Sequence, residues 1–165
     1  MDKYYYLVAQ LPSLVFDREN PISVQTFLEE AEKWLSVSDF RALKQARLDD
    51  PENRSGGPGV WRRYGEFESR FRRELGQWRQ ALRDGSETRP DTFSPSLVKE
   101  GNPLEVEKKL LARRWEVIAE EEKDHHFDLG FLVLYYLKLQ ILQRLSVFDK
   151  EKGMEHFQTM SRVTV

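Results

Sequence analysis

The chain has 165 residues, of which 39% are apolar and 33% charged, and its net charge is −2. This length suits a single domain, and the 10 Phe, 6 Tyr and 4 Trp argue against a disordered chain. The absence of cysteine excludes disulfides and thiolate metal sites and fits a reducing compartment, while the balanced charge predicts no general attraction to nucleic acid or membranes.

The first segments of the chain predict short helices. Residues 4–16 are apolar but interrupted by Pro12, and their periodicity fits a helix and a strand equally. Ser23 and Ser38 are predicted to cap two successive helices, the first ending near Leu35. The short joint between them predicts an antiparallel or sharply angled pair. The expected inward residues are Phe27, Leu28, Ala31, Trp34 and Leu35 in the first helix, and Phe40, Leu43 and Ala46 in the second.

The clearest element is a helix over residues 61–82, which follows a glycine-rich loop at 51–59. Its apolar side chains recur at steps of three, four and seven, which predicts a single apolar stripe about 120° wide. Four arginines fall on the opposite side of this helix. The stripe consists of Trp61, Tyr64, Phe67, Phe71, Leu75, Trp78 and Leu82, and the opposite face carries Arg62, Arg63, Arg70 and Arg73.

Residues 84–102 are rich in Pro, Gly, Ser and Thr and predict a connector between an N-terminal lobe (1–83) and a C-terminal lobe (103–165). Asn102, Pro103 and Glu105 signal the start of the next helix. Further helices are predicted over 128–147, capped by Asp128, and near 150–161. The expected inward residues of these helices are Leu104, Leu111, Trp115, Ile118, Phe131, Leu132, Tyr135, Leu139, Leu142, Leu145, Met154, Phe157 and Met160. We therefore predict one all-α domain of helical hairpins packed into a two-lobed bundle.

The acidic run 120–128 is the strongest candidate for chemistry. Glu121, His125 and Asp128 would share a face of a continuous helix, and Glu122 with His125 forms one Glu-x-x-His step. A ferritin-like di-iron enzyme needs two such steps, but Gly153 stands where His156 would require its glutamate. A polar joint between helices explains the same residues, and we predict no metal site.

Other catalytic patterns are absent from the sequence. It contains neither the G-x-x-x-x-G-K-[ST] loop that binds nucleotide phosphates nor the G-x-S-x-G elbow of serine hydrolases. Paired acids at hydrolytic spacing are all equally explained as solvated helix faces. The sequence thus predicts a protein without a catalytic site or cofactor.

The arginine face of the 61–82 helix admits three interpretations. The three are a solvated surface balanced by Glu66, Glu68 and Glu74, a docking surface for an acidic partner, and a nucleic-acid-binding surface. The third is disfavoured because the neighbouring aromatic side chains belong to the core stripe and cannot also stack on bases.

Segments near both ends of the chain resemble an uncharacterised bacterial family (of the DUF2764 type) encoded beside V/A-type ATPase subunits. The N-terminal segment reads YYYLVAQLPSL from residue 4, and the C-terminal segments read NPLE, HFDL, YLKLQIL and DKEKG from residues 102, 126, 136 and 149. The opening pattern is also similar to that of the ATPase's C-type socket protein, which joins the central stalk to the membrane ring. Gln10 and Pro12, however, replace the basic residues found there.

The resemblance implies a non-catalytic, all-helical component, either an accessory protein or one like the C-type socket protein, that couples or assembles the stalk and ring. Its expected partners are other subunits of the ATPase. No secretory pattern opens the sequence, and the longest apolar stretch, 129–137, is about half of the roughly 20 residues that span a bilayer. We therefore expect a cytoplasmic protein, peripheral to the inner membrane, with no inserted segment. The expected partner-binding residues are Arg62, Arg63, Arg70 and Arg73.

Overall fold

The computed structural model describes residues 4–50 and 57–163, with side chains as far as Asp149 and at Gln158 and Ser161. Within these residues the chain is helical and contains no strand, so the all-α prediction is confirmed. Most of the predicted loop at 51–59 lies outside the described residues. The helices are α1 (Tyr5–Gln10), α2 (Val24–Trp34), α3 (Val37–Gln45), α4 (Gly59–Asp84), α5 (Ser96–Lys99), α6 (Pro103–Glu122) and α7 (Leu129–Val163).

The opening segment begins as a helix. Leu7 of α1 is buried, with 1% of its surface exposed. After α1 the chain continues without regular structure, and the Tyr135 hydroxyl donates a 2.7 Å hydrogen bond to the Pro12 carbonyl. Pro12 therefore ends the helical start, and its carbonyl is bonded to the centre of α7.

The α2–α3 joint is tighter than predicted. Ser23 caps α2 as expected, but Ser36 rather than Ser38 caps α3, by accepting a 3.3 Å hydrogen bond from the Asp39 amide. The Ser38 prediction was wrong because Leu35 is already extended and leads directly into the cap. Trp34, predicted to face inward, is 47% exposed. As the last residue of α2 it stacks on the Tyr6 ring instead, with centroids 6.1 Å apart.

Helix α7 lies at the centre of the main hydrophobic core. Residues 132–139 are all buried, and α2, α3, α4 and α6 pack against this helix. The Phe27 ring lies between those of Tyr135 and Tyr136, at centroid distances of 5.3 and 5.9 Å. The predicted core role of this segment is confirmed. The separate helix near 150–161 was wrong, because α7 continues without a break to Val163.

A second hydrophobic cluster joins the far half of α4 to the predicted connector. Phe71, Leu75 and Trp78 pack there against Phe93 and Leu110. Phe93 lies inside 84–102, and that segment also contains α5, so the connector is packed onto the bundle. Both clusters contain residues from either side of this segment, and the two predicted lobes thus share their core. At the end of α4 the apolar stripe stops early, since Leu82 is 66% exposed.

The α6–α7 hairpin has clear capping signals. The Asn102 side chain and Glu105 form the predicted capping box at the start of α6. Helix α6 ends at Glu122, and residues 123–128 form a turn. The Asp128 carboxylate then accepts a 2.8 Å hydrogen bond from the Phe131 amide, which confirms the predicted cap of α7.

Residues Leu129–Asp149 are long and apolar enough to cross a membrane by length and composition, with a mean hydropathy of 1.2. In the fold, 56% of an 18-residue stretch of this segment is buried inside the protein. A central core helix satisfies the same criterion, so this single segment is weak evidence for a membrane span.

Candidate docking surface

The four arginines predicted as a docking surface are all exposed on α4. At about 100° of rotation per residue, they fall within an arc of roughly 100° on the helix. Arg62 and Arg73 form no ion pair or side-chain hydrogen bond with any residue that the structure describes. We call Arg62, Arg63, Arg70 and Arg73 together the arginine face.

The other two arginines of this face have partners within the chain. Arg63 Nε donates a 3.0 Å hydrogen bond to Glu121 Oε2. Arg70 Nη2 donates a 2.5 Å bond to Asp91, and its Nε lies 3.4 Å from Glu74. Both arginine side chains remain about half exposed, at 48% and 50%. Ion pairs with this exposure contribute only about 0–1 kcal/mol to stability.

The acidic corner at 120–128 does not form the predicted helical face. Residues 123–128 form a turn, so Glu121, His125 and Asp128 meet across the α6–α7 corner. His125 Nδ1 lies 2.8 Å from Asp128 Oδ2, and the Arg63 guanidinium lies 3.5 Å from His125 Nε2. A Cβ on Gly130 would come within 2.6 Å of His125 Nδ1, so glycine leaves room for this ring.

This geometry is that of a polar joint between helices. Glu122, the first residue of the Glu-x-x-His step, forms an ion pair with Lys138 of α7. Among the side chains that the structure describes, no three of His, Asp or Glu are grouped so that they could hold a metal ion. The His156 side chain lies outside the described residues.

A buried ion-pair cluster on α4 was missed by the sequence analysis. Glu68, interpreted as part of a solvated face, is 0% exposed. Arg114 of α6 binds both of its oxygens, with Nε and Nη2 each 2.9 Å from one oxygen, and Arg72 Nε lies 2.8 Å from Oε1. The Tyr64 hydroxyl donates a further bond of 3.2 Å.

The charge of Glu68 is retained in this environment. Burial by itself raises the pKa of the Glu68 carboxyl, but the hydrogen bonds and charges of Arg114 and Arg72 outweigh burial and lower it below its ordinary value. The sequence did carry a signal for this site. Glu68 lies seven residues after Trp61 and seven before Leu75, so it falls in the middle of the apolar stripe.

A second buried glutamate attaches the connector to α4. Glu74 accepts a 2.8 Å hydrogen bond from the Thr92 amide and another from the Thr92 hydroxyl. Burial raises the pKa of Glu74, but the two Thr92 bonds, a backbone hydrogen bond from Asp91 and the charge of Arg70 together lower it by more, so the net shift is downward. Arg113 Nε binds the Thr92 carbonyl at 2.8 Å from the α6 side. The segment is therefore bonded to both flanking helices.

An exposed aromatic row reaches the α6–α7 corner from α1 and α2. Tyr5, Tyr6 and Trp34 are 50%, 66% and 47% exposed. Their rings form a continuous chain of contacts that ends on Phe127, whose centroid lies 4.8 Å from that of Tyr5. Contiguous exposed aromatic side chains are typical of protein interaction surfaces. The sequence analysis missed this row because it assigned Trp34 to the core.

Residues 96–163, which include α5, α6 and α7, match the model of a family described as "Protein of unknown function (DUF2764)". Over this part the chain is similar to that family. The matched part contains the four C-terminal segments of the resemblance, whereas the N-terminal segment at 4–14 and the arginine face lie outside it. No curated protein and no solved structure matches the chain.

Proposed function

We propose that this protein is a non-catalytic component of a bacterial V/A-type ATPase, either an accessory protein or one like the C-type socket protein. It would couple or assemble the central stalk and the membrane ring on the cytoplasmic side. Two observations support the general proposal: the helical fold, and the match to an uncharacterised family over the segments that carry the C-terminal part of the resemblance. The link to the ATPase itself depends on the resemblance.

The observation that carries the docking role is the arginine face. Arg62 and Arg73 contribute no ion pair to the described part of the fold, yet both lie on the longest helix of the N-terminal half. Guanidinium groups form bidentate pairs with carboxylates, so the face is suited to an acidic protein surface. No fully exposed aromatic ring of α4 accompanies it, because Phe67 is half-buried and the other four are buried, namely Trp61, Tyr64, Phe71 and Trp78. Stacking of bases beside these arginines is thereby disfavoured.

The proposal is tested by capturing the ATPase from solubilised bacterial membranes with tagged protein and identifying cross-linked subunits. An Arg62→Ala/Arg73→Ala variant should capture about tenfold less stalk complex at low salt, because loss of desolvated charge pairs at an interface is costly. Its melting temperature should stay close to that of the unmodified chain, since neither arginine has a partner in the described fold.

Arg79→Ala/Arg83→Ala is a matched control, because it removes two exposed arginines from another side of the same helix. It should leave capture unchanged. Equal capture by the unmodified chain and the Arg62/Arg73 variant would show that the face is merely solvated. Failure of the unmodified chain to capture ATPase subunits would contradict the ATPase role. Tight binding to nucleic acid that the Arg62/Arg73 variant loses would favour the nucleic-acid interpretation instead.

A further inference from the structure

A cleft of about 320 Å³ opens beside the buried Glu68 cluster, where the end of α3 meets α4, α6 and α7. Four arginines from four separate parts of the chain line it: Arg47, Arg72, Arg114 and Arg144. The arginine face on α4 is not part of this lining. A volume of this size is within the range of small-molecule sites in proteins.

Arginines outnumber carboxylates among the residues that line the cleft. Arg47 is paired with Asp49 at 3.1 Å, and Arg144 with Glu107 at 3.0 Å. Arg72 and Arg114 share the single carboxylate of Glu68. The lining thus holds four arginines against the two carboxylates of Asp49 and Glu107, and the carboxylate of Glu68 behind it is bound by both Arg72 and Arg114. An excess of arginines over carboxylates along one cleft favours an anion there.

Hydrogen-bond donors remain in excess as well. A guanidinium carries five N–H donors, and Arg144 bonds Glu107 through Nη2 while Arg47 bonds Asp49 through Nε and Nη2. These two ion pairs lie at the exposed rim, with arginine exposures of 53% and 61%. Exposed ion pairs of this kind contribute little to stability. An entering anion can therefore displace the carboxylate from the arginine, or bind the arginine beside it, at little cost in free energy.

The wall that carries Arg47 is held in place before any ligand binds. Gln140 of α7 accepts a 2.8 Å hydrogen bond from the Leu48 amide and donates one of 2.8 Å to the Ala46 carbonyl. Arg72 Nη2 also donates to the Leu48 carbonyl at 3.2 Å. The segment that follows α3 is therefore fixed to both α4 and α7. Such preorganisation lowers the ordering cost of binding.

We infer that this cleft binds a small phosphorylated molecule carrying at least a diphosphate group. Several guanidinium groups converge there, and their planar donors match the oxygens of phosphate groups. A diphosphate carries more negative charge and more acceptor oxygens than a single phosphate, so it can pair with more of the four arginines. The site is separate from the arginine face and does not depend on the role proposed for that face.

The inference is tested by isothermal titration calorimetry of the full chain with pyrophosphate, orthophosphate and citrate at low salt. Pyrophosphate should bind saturably at one site and more tightly than orthophosphate or citrate. Arg47→Ala/Arg144→Ala should weaken pyrophosphate binding about tenfold or more, since charge-assisted hydrogen bonds are lost. Arg62→Ala/Arg73→Ala removes the same charge outside the cleft and should leave binding unchanged.

A second variant separates binding from folding. Gln143→Glu keeps every arginine but places a carboxylate on the exposed rim of the cleft, and it should weaken pyrophosphate binding without a loss of melting temperature. Three results would overturn the inference: no saturable binding, equal weakening by the Arg62/Arg73 control, or citrate binding as tightly as pyrophosphate.

Discussion

Helix α4 carries arginines of two kinds, and their difference shows what decides the role of a charged residue. Arg62 and Arg73 extend from one side and have no partner in the part of the chain that is described. Arg72, next to Arg73 in sequence, instead binds a fully buried carboxylate that it shares with Arg114. Arg72 and Arg73 differ by a rotation of about 100° around the helix axis, which places Arg73 on the surface and Arg72 at the edge of the core. The number of arginines on a helix therefore indicates little until the position of each relative to the apolar stripe is known.

The largest expected effect is the loss of the buried carboxylate. Glu68→Ala should destabilise the protein by about 3–5 kcal/mol, because it leaves the guanidinium of Arg114 desolvated and without its partner. Urea denaturation followed by circular dichroism measures this free energy of unfolding. Glu68→Leu/Arg114→Met should cost much less than Glu68→Ala, since a buried ion pair can often be replaced by apolar residues of similar volume. If the double variant is as unstable as the single one, the pair is not the source of the effect.

A smaller loss is expected where the connector meets α4. Thr92→Val removes the hydroxyl that donates to Glu74 but keeps the Thr92 amide bond. It should cost about 1–3 kcal/mol, because a buried carboxylate oxygen loses one of its donors. The same urea titration applies, with Thr88→Val, which is half-buried in the same connector, as the control. Equal stability of the Thr92 variant and the unmodified chain would mean that water replaces the hydroxyl.

Acid should weaken the buried cluster in a defined direction. The pKa of Glu68 is lower in the folded chain than its ordinary value of 4.5, so the unfolded chain takes up the proton first as pH falls. The stabilisation by Glu68 is complete above about pH 4.5 and decreases below it, as pH approaches the folded pKa. Below that pH, the free energy of unfolding of the unmodified chain should therefore decrease relative to that of Glu68→Leu/Arg114→Met. A difference that is constant from neutral to acid pH would contradict the lowered pKa.

The smallest effect is expected for the exposed pair on the arginine face. Arg63 Nε lies 3.0 Å from Glu121 Oε2, about as close as Arg114 lies to Glu68, but the Arg63 side chain is 48% exposed. A double-mutant cycle with Arg63→Ala and Glu121→Ala should give a coupling energy of at most about 1 kcal/mol. The corresponding cycle for Glu68 and Arg114 should give several times more. Similar coupling energies in the two cycles would remove the distinction between the two kinds of arginine.

Local patterns in the sequence were sufficient for several features. The periodic stripe predicted α4, and the Asn102–Glu105 capping box and Asp128 predicted where α6 and α7 begin. Each depends on residues within one or two helical turns, so neighbouring side chains alone determine it. The exposure of the arginine face follows from the same periodicity. The predicted break near residue 150 was wrong, because a polar stretch lowers the apolar signal without ending the helix.

Only the tertiary structure decided which polar groups are buried and with which partners. Glu68 meets Arg114 across 46 residues of sequence, and the cleft draws its arginines from α4, α6, α7 and the segment after α3. The turn at 123–128 likewise brought Arg63 to Glu121 and His125, although the sequence favoured one continuous helical face. Helical spacing determines the side of a helix on which a residue lies. The partner it finds there depends on how the helices pack, and packing is set by the whole core.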